Sequence, residues 1–450
     1  MLRDPVFTFP FEITSEIFIH CLPTSYTDRE WNTANPCEAP MLLLHVCRSW
    51  RERAIGTPAL WAKMELSMDT AHSHDMAQVC LMRAKSCPLS VKLRRWPSKA
   101  AEEDSWPILF FQTLLGRAST LEVLEVLPIP LYYIRRLDQL PDSSDFPSLQ
   151  KLAVGVRVDV LRGEPMDERP CVRLFANAPL LRGVTFIGDI SPTFFPALPW
   201  QQVTKYTGVC VPIDYFLDAL RISRNLVECV WVAGMFDLPF VEHLNHSSLK
   251  SLSLEKNYCF LDSFSSTYIL RFLTLSSLET LRILDCEYNA FSDRRFLAFL
   301  TRSSPPLRQF IVKLDTDIDL DADEEELGVD AFLSMSSLVE LEIWHPIPKF
   351  LTIFFSHLNN VTFLPQLRHL SIFHLRHRSE ASVRSLLKTV HAHLSARWDA
   401  RHHGPGQLES FYFEWDRDVG DLPGDDLAPF RAMASDGLNI SIKSPKRSYV

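Results

Sequence analysis

Two groups of residues in this chain of 450 have side chains that could bind a metal. Asp315, Asp317 and Asp319 alternate and Glu326 stands at the twelfth position, the spacing of a calcium loop. Such a loop needs glycine at its sixth position for a sharp turn, and Leu320 stands there, so the coordination geometry fails. Asp315 to Glu326 therefore reads as a solvated acidic insertion that could attract a basic partner. His391, His393, His402 and His403 flank the Gly404-Pro405-Gly406 turn, but no Cys or carboxylate pair stands beside them to complete a zinc tetrahedron. Neither a metal site nor a cofactor is expected. The sequence holds no G-x-S-x-G, G-x-x-x-x-G-K, G-x-G-x-x-G or H-E-x-x-H. Glycine is only 14 of 450 residues, which leaves little material for phosphate loops, and no spacing of Ser, His and Asp selects a triad. No catalytic residue is assigned. The chain is read as a non-enzyme whose chemistry is binding.

Composition narrows the partners. The chain is 46% apolar and 22% charged, ordinary values for a globular protein, and long enough for two or three domains. Its net charge of −9 argues against a nucleic-acid footprint, which needs a basic excess. Ten cysteines run from Cys21 to Cys286 without a C-x-x-C pair, as expected of buried free thiols in a reducing compartment. The opening MLRDPVFTFPFE is broken by Asp4, two prolines and Glu12, so it is no signal peptide. The richest apolar run, Ile108 to Leu115, is too short to span a bilayer. These features place the protein in the cytoplasm, the nucleus or both, away from membranes.

The elements that would position binding residues repeat along the chain. An apolar-x-x-apolar-x-apolar template begins at Leu121, Leu149, Leu181, Leu226, Leu249, Leu278, Leu307, Leu338, Leu367 and Leu408, with a degenerate copy at Val203 and Tyr206. Start-to-start spacings run from 22 to 41 residues, most of them in or near the ~20–29 of leucine-rich repeats. In a short strand the fourth and sixth template positions point inward together. A following helix or loop returns the chain so that the next strand lies beside the last, and stacking buries what one unit cannot bury alone. Helices are expected at Asp69–Ala84, Trp106–Arg117, Tyr215–Ile222, Phe264–Leu273, Arg294–Thr301 and Val383–Leu394, and a strand at Pro88–Leu93 with Val91 and Leu93 inward. The asparagine or cysteine usual at template position nine is present only as Asn257 and Cys286, so the solenoid is expected to be irregular.

Template positions three, five and seven face away from the core. In later repeats position seven reads Glu255, Leu284, Lys313, Trp344, Phe373 and Glu414, and position five reads Arg282, Ile311, Glu342, Ser371 and Tyr412. Exposed Trp344, Phe373 and Tyr412 would be costly without a partner, and aromatics with arginine are typical binding anchors. Arg282, Leu284, Lys313, Glu342, Trp344, Phe373 and Tyr412 are the candidate substrate-binding residues. The alternative is that insertions or the segment after Asp416 cover them.

The N-terminal stretch says what such a surface would serve. Phe9-Pro10-Phe11-Glu12-Ile13 opens a helix over Pro10–Cys21, on which Ile13, Ile17 and Cys21 recur at i, i+4, i+8 beside Phe18 and Leu22. Ala39–Leu66 then starts with Pro40, continues through an apolar helix containing Val46 and Cys47, and reaches a short helix Trp50–Ile55 that Ser49 could cap and Gly56 and Pro58 stop. Leu60 and Trp61 close it. This order resembles an F-box: a Leu-Pro-x-Glu-Ile opening, an Ile-Phe/Leu pair, a Val-Cys-Arg-x-Trp centre and a Leu-Trp close, over roughly 50 residues. Phe9 replaces the usual leucine, and Thr24–Glu38 is a longer insertion than the shortest members carry, as in fungal-type members.

The resemblance implies an α/β chain in which an N-terminal three-helix F-box is followed by an irregular leucine-rich-repeat solenoid, strands on the concave face and helices outside. The implied limits are 1–66 for the F-box-like domain, 67–117 for a connector and cap, 118–415 for the solenoid and 416–450 for a tail. It further implies a substrate adaptor of a Skp/cullin/F-box ubiquitin ligase. A Skp-type linker protein, and through it a cullin, would dock on the front, and an unknown protein substrate on the repeats. Pro10, Glu12, Ile13, Ile17, Phe18, Leu22, Val46 and Trp50 match motif positions that form either the linker-binding surface or the helical core. Pro10, Glu12, Ile17 and Leu22 are the better candidates for contact, and Trp50 and Trp61 for holding the unit together. The alternative is a leucine-rich-repeat interaction scaffold without a ligase role, its front end only capping the solenoid. A hydrolase in the last third ranks lowest.

Overall fold

The computed structural model describes residues 9–23, 33–68, 72–95, 106–130, 133–134, 145–157, 171–234, 242–256, 266–286, 291, 293–314, 329–358, 360, 362–375, 380–401, 408–417 and 422–450. The acidic run 315–326, Asn257, His402 and His403 lie outside them. The protein is α/β, with mostly parallel strands and intervening helices, and divides into two compact units, Met1–Val211 and Pro212–Val450.

The first unit opens with helices α1 (Phe11–His20), α2 (Leu43–Val46), α3 (Arg48–Ile55) and α4 (Ala59–Ala62). Strand β1 (Lys63–Ser67) follows, then α5 (His72–Ala84), β2 (Leu89–Arg94), α6 (Trp106–Leu115), β3 (Leu121–Pro130), β4 (Lys151–Arg157), β5 (Gly183–Ile187) and β6 (Lys205–Val211). Each strand runs parallel to the one before it in sequence. Met64, Val91, Leu124, Leu152, Val184 and Tyr206 stand in register across all six and are at most 2% exposed. The ladder therefore begins before the repeat template can be recognised: β1 falls in a stretch assigned to the helical front, and its first turns use Met64 and Val91 instead of leucine.

In the second unit α7 (Ile213–Ile222) leads into β7 (Glu228–Ala233), β8 (Leu244–Asn245) and β9 (Ser251–Glu255). A 3-10 turn at Ser266–Phe272 precedes β10 (Leu273–Thr274) and β11 (Thr280–Cys286). Then come α8 (Arg294–Ser303), β12 (Gln309–Leu314), α9 (Asp330–Leu333), β13 (Glu340–Trp344), α10 (Pro348–Leu358) and β14 (His369–Leu375). The chain ends through α11 (Glu380–Arg401), β15 (Ser410–Trp415), α12 (Gly424–Ser435), β16 (Asn439–Ser444) and β17 (Arg447–Ser448). Strands β7, β9 and β11 to β16 pair in parallel in that order, β17 folds back antiparallel on β16, and β8 pairs only with β10. Cys229, Leu252, Leu281, Phe310, Leu341, Leu370, Phe411 and Ile440 make one inward row, none more than 8% exposed. The segment read as a tail after residue 416 thus adds a helix and another parallel strand.

Helices cover the inward face of this sheet. Phe216 of α7 meets Trp231 at 5.4 Å between ring centroids, Phe332 of α9 meets Phe310 at 6.0 Å, and Phe355 of α10 meets Phe411 at 6.2 Å. The ladder also extends into the turns: the amides of Glu279, Arg308, Val339, Arg368 and Glu409 each donate to the carbonyl of the preceding turn, at 2.7–2.9 Å. Backbone groups that a loop would leave unpaired are satisfied by the neighbouring turn. Arg397 on α11 is 4% exposed and donates to the carbonyls of Leu358, Phe363 and Leu364, fastening α11 to the end of α10.

Strands in both units end by a common device. Arg95, Gly188, Cys210, His345 and His374, at or just past strand ends, all have φ between 52° and 84°. At Gly188 a Cβ would stand 2.6 Å from the carbonyl oxygen of Val156, so only glycine fits there. The other four are side-chain-bearing residues in a left-handed conformation, which is uncommon.

Candidate functional site

The first unit exposes an apolar face of its first helix. On α1 the buried stripe is Thr14 and Phe18; Ile13 and Ile17, one position earlier in each turn, are 50% and 41% exposed. The recurring stripe Ile13, Ile17 and Cys21 is the exposed one, Cys21 included, so these residues are not core. The reason lies in what α1 packs on. The Phe18 ring lies 5.0 Å from the Trp50 ring, Arg53 Nη1 donates to Thr14 Oγ1 at 3.1 Å, and Ser15 Oγ lies 3.0 Å from Thr57 Oγ1. Polar contacts to α3 and to the turn before α4 decide the rotation of the helix. Trp61 closes the same core, its Nε1 donating to the Ala54 carbonyl at 2.9 Å with the Arg83 guanidinium 4.3 Å from its ring centre.

This geometry sorts the motif residues. Phe18, fully buried, is core and is withdrawn as a contact residue; Trp50 is half-buried behind it. Pro10, Glu12, Ile13, Ile17 and Val46 are exposed, and Leu22 is half-exposed. Phe9, Phe11 and Leu42, absent from the candidate set, add 44% exposure each, and Val46 reaches 52%. With Ile55 at 38%, seven large apolar side chains are exposed along this short helical segment. The α3 cap also differs from expectation. Cys47 is extended and its Sγ accepts from the Trp50 amide at 3.5 Å, so the helix starts at Arg48 and Ser49 lies inside it.

The edge strand β1 is protected. The Thr33 amide donates to the Glu65 carbonyl at 2.9 Å, and Thr33 Oγ1 accepts from the Glu65 amide at 2.8 Å, closing hydrogen-bonding positions where another strand could add. Glu65 pairs with Arg94 at 2.6 Å, yet burial outweighs the cations and holds its carboxyl above the usual range.

The second unit carries an aromatic platform on the sheet face opposite its helices. Trp344 and Phe373 stand in register on β13 and β14, ring centroids 4.2 Å apart and 17° from parallel. Tyr412 on β15 continues the stack 4.8 Å beyond Phe373. All three are half-exposed. Trp344 Nε1 donates to Glu342 Oε2 at 3.3 Å and Tyr412 Oη donates to Glu414 Oε2 at 2.6 Å. Burial, then the adjacent Glu414 carboxylate, push the Tyr412 phenol up to about 12. His374 stacks on His345 at 5.4 Å and its Nδ1 lies 3.9 Å from Glu414 Oε1. Lys443 on β16 holds its Nζ 5.3 Å from the centre of the Tyr412 ring.

Trp344, Phe373, Tyr412 and Glu342 are thus brought together. Leu284 and Lys313 stand in the same row as Trp344, on β11 and β12, and Arg282 lies one row away, exposed. Ile311, expected outward, is only 6% exposed. Sequence reasoning missed His345, His374 and Lys443 as members of the platform. The alternation of Ile440 and Ile442 in NISIKS was the available signal for a strand carrying Lys443. The platform is flanked by that strand, so the segment after residue 416 extends the surface.

The remaining candidates have structural surroundings. His391 packs edge-on against Phe430 at 5.7 Å, and burial lowers its pKa. Cys80 and Cys229 are buried, which pushes the Cys80 thiol up to about 12 and raises that of Cys229; Cys21 and Cys37 are exposed, against the expectation of buried thiols. No helix among the described residues is long and apolar enough to cross a membrane. No protein-family model matches the chain, and no curated protein matches it.

Proposed function

We propose that the protein is a substrate-recognition adaptor of a Skp/cullin/F-box ubiquitin ligase, the helical front docking a Skp-type linker and the stacked strands of a leucine-rich-repeat-like array holding a protein substrate. The observation that carries this reading is the exposed apolar set Phe9, Phe11, Ile13, Ile17, Leu42 and Val46, in a unit whose own core is already closed by Phe18, Trp50 and Trp61. Leaving this much apolar surface in water is unfavourable, at ~25 cal/mol per Å², and a docked partner would recover it. The motif order Phe9 to Trp61 supports a linker protein as that partner. Parallel strands laid in chain order support the array, and the half-exposed aromatics support a binding role for its open face. Such an adaptor performs no bond chemistry; it raises the effective concentration of substrate near the conjugating enzyme.

Co-purification with a Skp-type linker protein tests the reading. Ile13→Asp with Ile17→Asp is expected to abolish capture while leaving the melting temperature nearly unchanged. An intact chain that fails to capture the linker would instead leave a protein-interaction scaffold.

A further inference from the structure

We propose that the second unit carries a docking strip for an acidic, extended segment of a partner protein, built from Arg271, Arg294, Arg295 and Arg302 around Tyr268. The strip belongs to the helical layer, away from the aromatic platform, and the inference rests on neither linker nor substrate recognition. Sequence supplies the first ground. Ser266–Leu275 and α8 (Arg294–Ser303) together hold four arginines and no Asp or Glu. The 3-10 turn Ser266–Phe272 packs against α8. All four arginines are exposed, and among the described residues none forms an ion pair. Arg294 and Arg295 occupy the first turn of α8, beside the positive end of the helix dipole, where a cation is unfavourable. Asp293 caps that end, but its Oδ1 accepts from the Arg295 amide at 2.7 Å and from neither guanidinium. Cations retained at a cost to the helix are accounted for by a role outside it.

The side chains are arranged in advance. Arg271 Nη1 donates to Tyr268 Oη at 2.6 Å, and its guanidinium carbon lies 4.8 Å from the ring centres of both Tyr268 and Phe272. Arg295 places its guanidinium carbon 5.6 Å from the centre of the same Tyr268 ring. Arg302 is fixed through Nε and Nη2, which donate to the Leu273 and Leu270 carbonyls at 3.3 and 3.0 Å and leave Nη1 for an outside acceptor. A guanidinium resting on a ring keeps its edge for a forked pair of hydrogen bonds to a carboxylate. A side chain already held also loses less entropy on binding.

Spacing and charge choose the anion. Arg295 and Arg302 are seven residues apart on one side of α8, which is ~10 Å along the axis. Arg271 is tied to both, to Arg295 through the Tyr268 ring and to Arg302 through its own carbonyl. A row of that length exceeds the reach of one phosphate. It matches carboxylates on alternate residues of an extended chain, roughly 7 Å apart. Ala298, small and exposed between the two arginines, leaves room for that chain. A long polyanion such as nucleic acid would run on into the field of a molecule with a net charge of −9, whereas a short segment feels little beyond a screening length of about 8 Å.

Fluorescence anisotropy of labelled acetyl-(Glu-Ser)6-amide with the full-length chain tests the proposal, with (Gln-Ser)6 as the uncharged control. The glutamate peptide is expected to bind, and the glutamine peptide to bind at least about tenfold more weakly. Arg271→Gln with Arg295→Gln should cost about tenfold or more with an unchanged circular dichroism spectrum. Arg294→Gln with Arg295→Gln should also weaken binding while leaving the melting temperature equal or higher, since it removes cations from a helix N-terminus; a merely structural role would lower it. This second pair keeps the test decisive if the first does not fold. Absence of binding at millimolar peptide overturns the proposal, as does binding that both double variants retain. Tighter binding of a serine peptide with a single phosphoserine, or of a short oligothymidylate, overturns it too, by assigning the strip to a phosphate or to nucleic acid. Linker capture by the same preparations reports separately on the helical front.

Discussion

Ile17 and Phe18 are adjacent, apolar and similar in size, yet they have opposite fates. Phe18→Ala removes a fully buried ring packed on Trp50 and should cost about 3–5 kcal/mol, read as a lowered urea midpoint. Ile17→Asp touches an exposed position and should change stability by no more than about 0.5 kcal/mol. Tyr412 offers a second test at this scale. Its phenol is raised to about 12 in the folded protein against an ordinary 10, so the folded state holds the proton more tightly than the unfolded one. Its contribution is fully present below pH 10 and is lost as pH rises through 12. In an ultraviolet titration the difference between wild type and Tyr412→Phe should show this late ionisation, and Glu414→Gln should move it to lower pH.

Among the elements, α11 is fastened by a buried cation as well as by its apolar face. Arg397 directs its guanidinium at three carbonyls, those of Leu358, Phe363 and Leu364, and hydrogen bonds from a charged group are worth about 1.5–3 kcal/mol. Arg397→Leu leaves those carbonyls unsatisfied and should destabilise the second unit by at least that amount in chemical denaturation. The helix also buries Val383, Leu386, Leu387, Val390, Leu394 and Trp398 along one face, as α8 buries Phe296, Phe299 and Leu300, so Arg397 adds a polar anchor to an apolar one. Strand ends show the same dependence on position. At Gly188 any side chain meets the Val156 carbonyl oxygen, whereas His345 and His374 tolerate the left-handed conformation at a cost and in return turn two imidazoles toward each other beside the platform.

At the level of the whole molecule, each strand row is a chain of nearest-neighbour contacts. In such an array a defect spreads chiefly to its neighbours. Leu341→Ala, in the centre of the inward row of the second unit, should cost about 2–5 kcal/mol. Hydrogen exchange should show loss of protection concentrated in β12, β13 and β14, with β3 and β4 of the first unit little affected. Uniform loss across both units would contradict this nearest-neighbour account.

Much of this architecture was legible beforehand because its signals are local. Strand alternation needs only a period of two, and the leucines at template positions one and four are buried at nearly every copy from Leu121 to Leu408, as are Val203 and Tyr206 in the degenerate one. The co-location of Trp344 and Phe373 was readable for the same reason, since parallel register converts equal template positions into spatial neighbours, whereas Tyr412 at position five stands in register with Ser371 and reaches Phe373 through its ring. What escaped was set by partners distant in sequence. Helix α1 has apolar residues on more than one face, and its own periodicity cannot say which face turns inward; Arg53, Thr57 and Trp50 decide that. Strand β16 and its Lys443 lacked a leucine template, and β1 was masked by the helical segment before it. Side-chain pattern determined which residues could share a row, and only tertiary packing decided which of two apolar stripes on one helix was left exposed.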